Sequence, residues 1–225
     1  MLGLNPAILI SRIIVLLTAF SVHEFAHAWT ANYFGDNTPR VNGRLTLNPF
    51  AHLDPMGSLL LVVAGFGWAK PVPVNPYTLR RSAPSAMMWV ALAGPLSNFL
   101  MALLAALPFQ LNLVNLDDLF LSFANQGSSI LPTPAEFLWE FITINLVLML
   151  FNLIPIPPLD GDKILDFFLP DTWKDRMAQI RPYGPVILIV LFMVLPNIGI
   201  GPYRIDFPEW IIRRPLLLLL DLLVG

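Results

Sequence analysis

The chain has no cysteine among its 225 residues. That excludes a disulfide framework and any thiolate metal site, so a bound metal has to rest on histidine and carboxylate. Histidine is itself scarce, with 3 in all. Charge is thin as well: 12% of residues are Asp, Glu, Lys or Arg against 56% hydrophobic, the balance of a membrane protein. With a net charge of −2 and no basic tract, nothing invites nucleic acid. The N-terminus lacks the basic stretch that opens a cleavable signal peptide, so the first apolar segment is expected to stay. Length suits one membrane-embedded domain over 1–225.

What the chain has in plenty is long apolar runs. They predict an all-α polytopic membrane protein with about four transmembrane helices, over 5–34, 84–107, 134–153 and 183–200. A last segment, 210–224, is interrupted by Arg213, Arg214, Pro215 and Asp221 and is expected to lie at the interface. Between the first two helices, Arg40 to Pro49 alternates like a short β-hairpin turning at Asn42-Gly43. Further on, Lys70 to Pro76 carries three prolines, which permit only an extended edge strand.

Basic residues orient the path. Arg40, Arg44, Lys70, Arg80 and Arg81 lie between the first two helices, and Lys163, Lys174, Arg176 and Arg181 follow the third. The stretch from Phe109 to Glu140 holds four acids and no base. Both basic loops are therefore expected on the cytoplasmic side. The apolar stretch 56–69 is then a re-entrant segment, since about 14 residues fall short of the roughly 20 a span needs.

Within the first apolar helix the chain reads His23-Glu24-Phe25-Ala26-His27. Two imidazoles four residues apart share one helix face and can reach one zinc ion, leaving the glutamate beside them to work on water. A carboxylate near the middle of an apolar helix costs about 2.5–3.5 kcal/mol on insertion scales, so Glu24 needs a reason to be there. A catalytic zinc takes three protein ligands. The third is His52 or a carboxylate, with Asp160 the better placed: it follows a helix broken by Pro155, Pro157 and Pro158, and Gly161 allows a tight turn.

Three elements in this order resemble the site-2 protease family of intramembrane zinc metalloproteases. They are His23-Glu24-x-x-His27, then Gly94-Pro95-x-x-Asn98, then Asn152-x-x-Pro155 leading to Leu159-Asp160-Gly161. The segments RLTLNP, HLDPMG and WAKPVPVNP are similar to the compact prokaryotic branch, without the PDZ or CBS domains of larger members. The resemblance implies three core helices holding one Zn2+ through His23, His27 and Asp160. It also implies hydrolysis of a peptide bond in or near a transmembrane segment of a membrane-protein substrate, in a prokaryotic cell membrane with the site toward the cytoplasm.

Glu24 is then the general base. Asn98 is either an oxyanion or substrate donor or a helix-packing contact. Asn152 donates similarly or caps its helix end, and His52 is a group behind the ligands or a structural loop histidine. Val72 and Val74, on the extended stretch, would receive an unwound substrate by strand addition. Arg12 snorkels or faces a partner. The competing reading is a non-hydrolytic zinc-binding scaffold or metal-transport component, for which Glu24 has no use.

Overall fold

The computed structural model describes residues 6–54, 70–119, 130–200, 203–204 and 206–225. Among these, four helical paths are long and apolar enough to cross a membrane: Pro6–Tyr33, Ala86–Gln110, Pro134–Asn152 and Asp171–Asn197. The protein is thus an all-α polytopic membrane protein. The expected re-entrant segment 56–69 lies outside the described residues.

Helix α1 (Pro6–Tyr33) buries Ala7, Ser11, Val15, Ala19, His23, His27 and Ala31, one residue in every four. Such a lane of small side chains lets helices approach closely where burial from water supplies no drive. A single helical turn, α2 (Thr38–Val41), follows. Helix α3 (Pro76–Ser82) is capped by Asn75, whose side chain accepts from the amides of Tyr77 and Thr78. Helix α4 (Ala86–Gln110) buries Val90, Gly94, Asn98, Ala102 and Ala106. Helix α5 (Pro134–Asn152) starts from a reciprocal cap: Thr133 Oγ1 accepts from the Glu136 amide at 3.2 Å, and Glu136 Oε2 accepts from the Thr133 amide at 2.8 Å. Helices α1, α4 and α5 pack against one another.

After the proline-broken turn comes the short α6 (Asp160–Phe168), docked on α4. The fourth path begins as α7 (Asp171–Ile180), passes a 3-10 turn at Arg181–Tyr183 and continues as α8 (Gly184–Ile189) to Asn197. It therefore starts earlier than the expected 183–200, because Pro182 and Pro185 sit at the first positions of their turns, where a missing amide does no harm. Two-residue strands β1 (Gly199–Ile200) and β2 (Tyr203–Arg204) pair antiparallel, Gly199 with Arg204.

One expectation is corrected. The segment from Arg40 to Pro49 forms no hairpin. Pro39 suits the start of a helical turn, so Thr38–Val41 coils, and Asn42-Gly43 closes that turn with Gly43 at φ +67°. The C-terminal segment packs against the core helices. Its α9 (Arg214–Val224) buries Leu220, Leu223 and Val224 with Ala102, Ala106, Phe109, Ile142 and Leu146 of α4 and α5. Gln110 Nε2 also donates to the Leu223 carbonyl at 3.1 Å. The leucine run offers one continuous apolar face, and that outweighs Asp221, which stays exposed.

Candidate metal centre

His23 and His27 belong to the buried lane of α1, where the other members are Ala, Ser and Val. Gly94 lies opposite them on α4. A side-chain carbon there would come 2.6 Å from His23 Cε1 and collide with the His27 ring, so only glycine leaves room for both imidazoles. Pro95 beside it withholds an amide from the α4 ladder. At this level the α4 backbone meets α1 directly: His27 Nδ1 is 2.6 Å from the Val90 carbonyl.

That contact fixes a proton. A carbonyl only accepts, so His27 Nδ1 carries the hydrogen and its Nε2 presents a lone pair. His23 is set likewise. Its Nδ1 lies 2.6 Å from Asn98 Oδ1, while Asn98 Nδ2 donates to Asn145 Oδ1 at 2.9 Å and Asn145 Nδ2 donates to the Phe141 carbonyl at 2.8 Å. Donation thus runs from the ring on α1 through α4 to the α5 backbone. Both Nε2 atoms consequently face inward, 3.0 Å apart, and each is 3.2 Å from Asp160 Oδ2.

Asp160 reaches them from α6. Gly161 lies hard against the Leu153 and Ile154 carbonyls at the end of α5, where no side chain fits. The other carboxylate oxygen, Oδ1, is 3.5 Å from Lys163 Nζ.

Two lone pairs and a carboxylate oxygen within 3.2 Å of one another repel unless a cation lies between them. Their separations approach the about 3.3 Å between donors on a tetrahedral ion with bonds of about 2.05 Å. The donor set of two imidazoles and one carboxylate suits zinc and leaves a fourth position open. Glu24 follows His23 directly, is 8% exposed and makes no hydrogen bond or ion pair with the described residues.

The remaining expected residues fall elsewhere. His52 is buried, but its Nε2 bonds the Thr46 carbonyl at 2.8 Å and it stands outside the metal group. Asn98 is wholly buried, with its oxygen 2.6 Å from His23 Nδ1 and its amide nitrogen bonded to Asn145. Asn152 bonds back to the Leu148 carbonyl at 3.0 Å, within its own helix end. Val72 and Val74 are half-buried, lie in neither helix nor strand and make no backbone hydrogen bond with the described residues. Arg12 meets Glu140 of α5 at 3.3 Å. Asn145 escaped the sequence reading, although an amide in the middle of an apolar helix was a visible signal.

The profile of peptidase family M50 matches residues 11–195. The chain belongs to that family. It is 41% identical to YwhC of Bacillus subtilis (strain 168), named as a candidate zinc metalloprotease, over 80% of this chain and 79% of that one. To the Rip2 proteins of Mycolicibacterium smegmatis and of Mycobacterium tuberculosis H37Rv, with names of the same kind, it is 32% and 33% identical. Those matches cover 79% of this chain and 64% of each Rip2, so the chain spans just under two thirds of their length. No solved structure matches. Membership, with the four apolar helical paths, makes this a site-2-type zinc metalloprotease of the membrane.

Proposed function

We propose that the chain hydrolyses peptide bonds in or near transmembrane segments of membrane-protein substrates, with His23, His27 and Asp160 holding one zinc ion and Glu24 as general base. The observation that carries this is the inward convergence of three donors whose protonation is set from behind by Val90 and Asn98. Bound zinc supplies Lewis acidity, lowering the pKa of water to about 7 and polarising a carbonyl. Glu24 takes the proton of the attacking water and passes it to the leaving amine.

A peptide bond inside a helix is shielded by its own hydrogen bonds, so the substrate must be unwound before attack. The stretch around Val72 and Val74, whose backbone pairs with no described backbone group, would receive such a strand. The basic residues near α2, α3 and α6 support a site on the cytoplasmic side. The bacterial sources of the similar proteins support a prokaryotic cell membrane.

The competing reading, a zinc scaffold or transport component without hydrolysis, is separated by one variant. Glu24→Gln should retain stoichiometric zinc and lose cleavage of a model transmembrane substrate by about 10²–10⁴-fold. His23→Ala, His27→Ala and Asp160→Ala should each lose the metal. Cleavage by Glu24→Gln at the wild-type rate would refute the mechanism.

A further inference from the structure

Asp160 is held to the metal centre by a helix of only 9 residues, α6, that follows a proline-broken turn. So short a helix has little rigidity of its own, yet a ligand must be aimed within a fraction of an ångström. Its opposite face explains how. Asp162 and Asp166 are four residues apart and share one side of α6, and Asp162 lies about 200° around the axis from Asp160. Both acids converge on Arg181. Its Nε is 2.9 Å from Asp162 Oδ2 and 3.3 Å from Asp162 Oδ1, and an Nη is 2.5 Å from Asp166 Oδ1. Asp162 is 7% exposed, and Arg181 is the cation it is paired with.

Arg181 is itself anchored. Three residues on, Gly184 presses against the Pro157 carbonyl, in a gap that admits no side chain. The turn Arg181–Tyr183 is thus fixed to the segment just before α6 while its guanidinium grips the back of that helix. A planar fork bonded to two carboxylates one turn apart sets the rotation of the helix as well as its position.

We infer that Arg181 is a positioning residue for the metal ligand: by bridging Asp162 and Asp166 it sets the rotation of α6 and hence the aim of Asp160 at His23 and His27. The inference rests on the zinc reading above. It acts at a distance from the chemistry, through Asp160 alone. The fourth helical path thereby becomes part of the metal centre without contributing a ligand.

The test is zinc release from the purified full chain in detergent to a chromogenic chelator, with zinc content and kcat and KM on a model transmembrane substrate measured alongside. Arg181→Ala should release zinc at least ten-fold faster than wild type and lose kcat with KM little changed. Arg181→Lys should recover part of both, and Asp166→Asn, which leaves the Asp162 bond in place, should fall between. If Arg181→Ala does not fold, the Lys and Asn variants carry the same ranking. Release from all three at the wild-type rate would overturn the inference while leaving the zinc reading intact. Wild-type protein that binds no zinc would overturn the zinc reading instead.

Discussion

The Nδ1 of His23 and the Oδ1 of Asn98 lie 2.6 Å apart, between two helices that are 75 residues apart in sequence. One hydrogen bond thus decides which imidazole nitrogen is left for the metal, and Asn145 decides which end of the Asn98 amide faces the ring. Groups behind metal ligands typically contribute 10–100-fold in affinity. Asn98→Ala should lower zinc affinity by about that factor, and Asn145→Ala should act in the same direction but less. Competition with a chelator of known affinity measures both. Unchanged affinity in Asn98→Ala would mean that the ring orients without help.

Gly94 tests the fit of helix against ring. Adding one methyl places a carbon 2.6 Å from His23 Cε1. Gly94→Ala should keep its helical content by circular dichroism, because alanine favours helix. It should nevertheless lose most of its zinc, read by elemental analysis. A variant with full zinc would show that the imidazoles can swing clear.

Arg12 and Glu140 tie α1 to α5 with one charge on each helix. In apolar surroundings the loss of one partner strands the other. Arg12→Met and Glu140→Gln should each lower the melting temperature, and the double variant should be less destabilised than the sum of the two. The coupling is about 0.5–3 kcal/mol in cycles of this kind. Additive losses would mean that the two side chains do not sense each other.

The proline variants Val72→Pro and Val74→Pro probe the stretch proposed for strand addition. Each removes an amide that no described backbone group uses. Turnover should fall while zinc content holds. Unchanged turnover would count against strand addition at this place.

The helices were legible because their apolar runs are long; His23, Glu24 and His27 stood out inside such a run, and Asp160 by its place after a proline-broken helix end. Other features escaped for physical reasons. The alternation after Arg40 imitates a strand, but Pro39 starts a helical turn that local pattern cannot anticipate. The packing of the Leu-rich tail was not legible because its apolar face finds its partners only once α4 and α5 stand beside it. Asn98 was visible as a polar residue in an apolar helix, but its role depends on a ring 75 residues away. Asn152 could be read locally, since its partner lies one turn back on the same helix.

Asp36, just past the end of α1, is almost wholly buried. Its Oδ1 accepts from the Thr38 amide at 3.0 Å and its Oδ2 from the Asn75 amide at 2.6 Å. A single carboxylate therefore pins the proline-rich strip to the same rod that bears both histidines. The number of residues from His27 to Asp36 then works as a ruler. A chain laid along that strip would meet the ion at one fixed offset, whatever its own side chains were.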